Sequence, residues 1–199
     1  MSEVEPGKRM PVRIEGGLLK GLTLKTQTRA GVIRPTSGKV RQALFNILAE
    51  KLPDAGFLDL FAGSGAVAFE ALSRGAVRVV AVEMHGQAFP LLKQNAALVT
   101  SKEQVPGSFE ALRLRASEYC DMPEAQAAFD VVFADPPFDQ DFSPLPSMLA
   151  SVMRPDGLAV VQYPSRNPPA FAGQSPKIKV YGESSLAFFS LQDLEPAAP

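Results

Sequence analysis

Cysteine and histidine are almost absent from this chain: each occurs once, as Cys120 and His85. A single cysteine excludes an internal disulfide and fits a reducing, cytoplasmic setting. One cysteine and one histidine, far apart in sequence, offer no metal-ligand spacing. No metal site is expected, Cys120 reads as a structural thiol, and His85 as a surface or half-buried side chain. No run of 18 or more apolar residues occurs, so no membrane-spanning helix is expected. The first ten residues, with Glu3, Glu5, Lys8 and Arg9, lack the apolar stretch of a secretory signal. Internal repeats are missing as well.

Net positive charge is also missing, the formal value being −1. The distribution is uneven, however. Residues 1–51 carry ten Lys/Arg against four Asp/Glu, and the remainder ten against seventeen. A basic leading segment on an acidic body can dock a phosphate backbone locally. At 199 residues, with an apolar fraction of 46%, the chain can fill the core of one domain with a small appendage.

What is present is an alternation of apolar runs and helical stretches, the pattern of a doubly wound parallel sheet. Strands read near 57–61, 77–82, 111–115, 129–134 and 157–162, and helices near 65–74, 86–99, 117–127 and 142–153. The segments 177–180 and 186–191 read as a final antiparallel pair, and 12–14 with 22–24 as a small leading hairpin. Arg34-Pro35-Thr36-Ser37 opens a further helix, with Thr36 or Ser37 as N-cap. Val40, Leu44, Ile47 and Leu48 share one face of that helix, and Arg41 lies off it. Residues 1–35 thus read as a leading arm and residues 36–199 as the main domain.

Two segments carry chemistry. The run Phe57-Leu58-Asp59-Leu60-Phe61 leads into Ala62-Gly63-Ser64-Gly65, and a helical stretch follows. Strand, glycine turn and helix together let backbone approach a ligand and present free N–H groups. About 20 residues on, Glu83 ends the next strand, where an acid can accept from ribose hydroxyls. Gly63, Gly65 and Ala68 fit the dinucleotide pattern as well, so the loop alone admits either an NAD-dependent oxidoreductase or an S-adenosylmethionine enzyme. Asp59 suits the second better, because an ammonium and a sulfonium want acceptors and a pyrophosphate does not. The other segment is Asp135-Pro136-Pro137-Phe138, after the strand 129–134. An acid, a stiff turn with free carbonyls and an aromatic face suit a planar group bearing an exocyclic amine.

The chain resembles the bacterial RsmD-type ribosomal RNA (guanine-N2) methyltransferases. The likeness rests on Leu58 to Gly65, Phe69 to Ala76, Asp135 to Phe138, Arg13 to Gly17, Arg34 to Ser37, Val40 to Leu48 and Tyr181 to Ala187. It departs from that family in the weakly basic Lys20-Gly21-Leu22-Thr23-Leu24-Lys25 and in Gln42, where the family has glutamate. The resemblance implies a Rossmann-like α/β class I methyltransferase fold: seven strands, mostly parallel, with an antiparallel C-terminal strand and an N-terminal hairpin extension. It implies S-adenosyl-L-methionine as cofactor, held by Asp59, Phe61, Ala62, Gly63, Gly65, Glu83, Met84, Ala116 and Ser117. It implies methyl transfer to a guanine N2 of 16S ribosomal RNA through Asp135, Pro136, Pro137 and Phe138. Lys20, Arg34, Thr36 and Arg41 would contact RNA, with removal of Arg41 leaving packing almost intact. The substrate would be the RNA within an assembled or part-assembled small subunit, and the protein a cytoplasmic monomer. An adenine-N6 or protein-glutamine methyltransferase could use a similar turn, and a non-catalytic RNA-binding scaffold would keep the fold without turnover.

Overall fold

The computed structural model describes residues 12–26, 37–102, 105, 107–137, 141–169, 171 and 176–194. Seven strands form one sheet: β3 (Gly56–Asp59), β4 (Arg78–Val82), β5 (Ser108–Leu112), β6 (Phe129–Ala134), β7 (Met153–Pro164), β8 (Lys177–Tyr181) and β9 (Ser184–Phe189). The spatial order is β5-β4-β3-β6-β7-β9-β8. β3 to β7 run parallel, and β9 joins β7 antiparallel with β8 outside it. From β3 the chain winds outward to β5, then returns to β6 and winds the other way. The order therefore reverses between β3 and β6, and ligands of open α/β sheets sit at such a switch point, beyond the carboxyl ends of the strands.

Period-two alternation sorts the strand residues onto two faces. Phe57, Val79, Val131, Phe133, Val160 and Leu186 pack with α1 (Gly38–Ile47), α2 (Ala66–Ser73) and α3 (Phe89–Thr100). Leu58, Val80, Val132, Ala159 and Val161 pack on the other side, where α4 (Ala116–Cys120), α5 (Leu145–Val152) and α6 (Leu191–Leu194) lie. The strands β1 (Val12–Arg13) and β2 (Thr23–Leu24) form a separate antiparallel hairpin. Its Ile14, Leu19 and Leu24 are buried in the same core as α1 and α2.

The alternating order, the hairpin and the antiparallel ending follow the sequence pattern, while several bounds move. β5 starts three residues before the expected 111, because it is the sheet's edge strand and its burial alternates too weakly to mark its start. The helix expected over 117–127 is only α4 plus a turn of 3-10 helix at Pro123–Ala125. Pro123 explains the break: it lacks the N–H that a continuing helix needs. β7 begins at Met153 rather than 157, with a register shift against β6 between Phe129 and Val131. The last strand spans 184–189, two residues earlier than expected. The hairpin turn before it uses Gly182 at φ 62°, a left-handed conformation natural to glycine. Ser37 is the N-cap of α1, its hydroxyl accepting from the Val40 N–H.

Candidate active site

β3 ends at Asp59, and the chain then turns sharply. The Ala62 N–H donates to the Val82 carbonyl, pinning the turn beside the end of β4. Gly63 and Gly65 take φ values of 55° and 85°. Gly65 is the N-cap of α2 and has no side chain to cap it, and the Ala68 N–H in the first turn is directed to the Asp59 carboxyl. A Cβ at Gly65 would lie 2.3 Å from the Phe69 ring. Glycine is thus required there by conformation and by space. Asn95 of α3, fully buried, holds the loop from behind: its Nδ2 donates to the Ser64 carbonyl at 2.9 Å and to the Lys25 carbonyl at 3.0 Å.

Glu83 follows β4 and is nearly buried. Its Oε2 accepts from the Gly63 N–H and its Oε1 from the His85 N–H, both at 2.7 Å. The carboxylate therefore fixes the glycine turn itself, a role the sequence does not announce. Met84 beside it is exposed. Ala116 and Ser117 form the first turn of α4, just beyond the carboxyl end of β5. Phe61 is half-buried and Ala62 buried.

Asp135 follows β6, one strand over from β3. Pro136 is buried and Pro137 exposed, while Phe138 lies outside the described residues. Gln162, near the end of β7, donates from Nε2 to Asp135 Oδ2 at 3.1 Å. Asp59 lies in the floor of this arrangement at 1% exposure. Burial pushes its carboxyl from an ordinary 3.8 up to about 8, backbone donors at Phe61 and Ala68 pull the other way, and the carboxylates of Asp135 and Glu83 add to the rise. Three acids from three neighbouring strand ends thus share one electrostatic site. Among the described residues, neither Asp59 nor Glu83 has a Lys or Arg partner. Such a site offers acceptors to a small organic cation, and Asp59 becomes a counter-charge to it only on losing its proton.

The expected RNA contacts fare differently. Lys20 is exposed. Arg34 and Thr36 lie outside the described residues. Arg41 is not at the surface: it is 3% exposed, and this corrects its assignment to RNA. Its Nη2 donates to the Arg13 carbonyl at 2.7 Å and to Glu15 Oε1 at 2.9 Å, and its Nε lies 3.6 Å from Glu70 Oε2. The face of α1 that looked free of apolar residues is covered by the hairpin. Glu70 is the centre of this network, accepting from the N–H groups of Glu15 and Gly16 and from Arg74 Nε, each at 2.8 Å. Sequence reasoning passed over Glu70, although a lone acid within the apolar stretch Ala66–Leu72 is a usable signal of a buried partner.

The strand order, with its switch point between β3 and β6 and its antiparallel ending, is that of the class I S-adenosylmethionine-dependent methyltransferase fold. The chain matches the family described as Conserved hypothetical protein 95 over residues 12–190, and it belongs to that family. The RsmD-type resemblance read from the motifs is borne out. Ribosomal RNA small subunit methyltransferase D of Haemophilus influenzae is 39% identical over 134 residues, which is 67% of each chain. The protein of the same name from Escherichia coli K12 is 36% identical over 127 residues, 64% of this chain and 60% of that one. A solved structure of a hypothetical protein from Thermus thermophilus shares the fold at a TM-score of 0.74 and 34% identity, covering 90% of this chain and 99% of its own.

Proposed function

We propose that this protein transfers a methyl group from S-adenosylmethionine to the exocyclic N2 of a guanine in small-subunit ribosomal RNA. The observation that carries this reading is the shared acidic site of Asp59, Glu83 and Asp135 at the switch point. The family membership and the relatives named as small-subunit ribosomal RNA methyltransferases support the substrate.

The cofactor supplies an electrophilic methyl on a sulfonium. The chain's residues fit it. The glycine turn at 63–65 admits close approach, Asp59 is placed to accept from an ammonium, and Glu83 to accept from ribose hydroxyls with its remaining lone pairs. Phe61, Ala62, Gly63, Gly65, Met84, Ala116 and Ser117 complete the cofactor side along the same edge of the sheet. On the substrate side, the N2 lone pair of guanine is delocalised into the ring and is a poor nucleophile. Asp135 and the Pro136 carbonyl accept its two N–H bonds and favour a pyramidal nitrogen. Positioning supplies most of the rate, and the Asp135 carboxylate offsets positive charge growing on that nitrogen. Phe138 stacks on the base, which must be unstacked or in a loop. Pro137 stiffens the turn. The leading arm up to residue 35, with Lys20 and Arg34, serves RNA docking together with Thr36 at the start of the body, and the body from residue 36 carries the chemistry. The substrate is the RNA of an assembled or part-assembled small subunit, and the protein acts as a cytoplasmic monomer. Among the described residues no helix is long and apolar enough to cross a membrane.

Incubation with methyl-labelled cofactor and small-subunit RNA or particles, followed by nucleoside mapping, tests this reading. N2-methylguanosine is expected, and label in N6-methyladenosine, in protein glutamine, or nowhere overturns it.

Asp59 provides a separate prediction. Between pH 4 and 8 the folded chain keeps a proton on Asp59 that the unfolded chain has released, because burial raises its pKa to about 8. The cost of burying it therefore grows as pH rises through that window. Asp59→Asn should raise the melting temperature of the cofactor-free protein at pH 7–8, with the gain fading toward pH 4. The same change should weaken S-adenosylmethionine binding by about tenfold, since the site loses the group that can become its counter-charge. Unaltered affinity by calorimetry would remove Asp59 from the cofactor site.

A further inference from the structure

Gln162 belongs to no motif read from the sequence, yet its side chain touches Asp135. It lies on β7 one residue beyond Val161, the partner of Ala134 at the end of β6. It is 6% exposed and shares the sheet face of Val160 and Leu186, the side covered by α1. Its Nε2 donates to Asp135 Oδ2 at 3.1 Å. Its Oε1 is buried and, among the described residues, has no hydrogen-bond partner. The amide orientation follows from chemistry: an ionised carboxylate only accepts, so the NH₂ end must face Asp135 and the carbonyl must face away.

This is a poor arrangement for folding alone. A buried carbonyl without a partner destabilises the fold, and methionine would fill the same volume on that strand without one. What the glutamine adds is a fixed donor on one oxygen of Asp135. That donor restrains the rotation of the carboxylate at the end of the strand.

We propose that Gln162 is a positioning residue for Asp135, holding its carboxylate in the orientation that draws out the guanine amine. The inference rests on the proposed function of Asp135 as the amine acceptor. In the full-length protein, Gln162→Met should leave the melting temperature unchanged or raised, because it removes an unpaired acceptor. S-adenosylmethionine affinity should stay within about twofold. The kcat on small-subunit RNA should fall by about 10- to 100-fold, the range in which supporting partners of reactive groups act, with KM for RNA little changed. Gln162→Asn, whose amide stops one methylene short of Asp135, should show the same kinetic signature even if the methionine variant folds poorly.

A double-mutant cycle separates positioning from general damage. In an Asp135→Ala background, Gln162→Met should cost no further turnover, because the group it positions is gone. Multiplicative losses, or wild-type kcat in both Gln162 variants, overturn the proposal. If the wild-type protein is inactive on small-subunit RNA and particles alike, the functional reading fails first. An active wild type with fully active Gln162 variants defeats this inference alone.

Discussion

Asp135→Ala should lose roughly 10²- to 10³-fold in kcat on RNA, the scale of removing one preorganised group that stabilises charge in the transition state, while still binding S-adenosylmethionine. The expectation follows from where Asp135 sits. It lies just past the end of β6, across the switch point from the glycine turn after β3. In the proposed reading a side chain there faces the amine, while Asp59, Gly63 and Glu83, which are joined around the glycine turn, take the cofactor side. Asp135→Asn keeps an acceptor oxygen without the charge and should fall between wild type and alanine. The two variants thus divide hydrogen-bond acceptance from charge. Single-turnover transfer of labelled methyl gives the rate, and calorimetry gives the affinity. Near-normal kcat in Asp135→Ala would end the acceptor mechanism. A loss of cofactor binding equal to the loss of rate would move Asp135 to the cofactor side instead.

The parts of this site that lie within one strand–turn unit were legible in the sequence. Asp59 to Gly65 and Asp135 to Pro137 are contiguous, and their residue types dictate local geometry whatever surrounds them. The element order was legible for the same reason, since each apolar run or helical stretch is short and local. The contacts that cross between units were not. Glu83 read as a ribose acceptor, but its bonds to the Gly63 and His85 N–H groups depend on how β3 and β4 pair. Asn95 ties the glycine loop to Lys25 across 70 residues of chain. Gln162 meets Asp135 only because β7 adds beside β6. Arg41 is the instructive failure. A helical wheel shows which side of α1 is apolar, and it cannot show that a hairpin ending at Leu24, well before Gly38, will cover the other side.

That failure reverses the expected result of changing Arg41. Arg41→Ala should destabilise the fold strongly, by about 3–5 kcal/mol, the usual loss when one partner of a buried charge network is deleted. The guanidinium is 3% exposed and bridges the Arg13 carbonyl, Glu15 and Glu70, and Glu70 is fully buried. Deletion strips two contacts from the hairpin and leaves Glu70 with Arg74 as its remaining cation among the described residues. In a chain of this length 1 kcal/mol moves the melting temperature by roughly 2–4 °C, so a drop of about 10 °C is the natural reading in a thermal melt. Arg41→Lys should recover only part of it, because an ammonium cannot reproduce the planar fork that reaches several acceptors at once. Lys20→Ala, at an exposed position on the same hairpin, should leave the melting temperature unmoved. Weaker RNA binding in the Arg41 variant would then be expected as well, through a loosened arm rather than a lost phosphate contact. Its salt dependence should stay parallel to wild type, whereas loss of a phosphate contact flattens that slope by about one unit. A stable Arg41→Ala protein with a flattened salt slope would return Arg41 to the RNA interface.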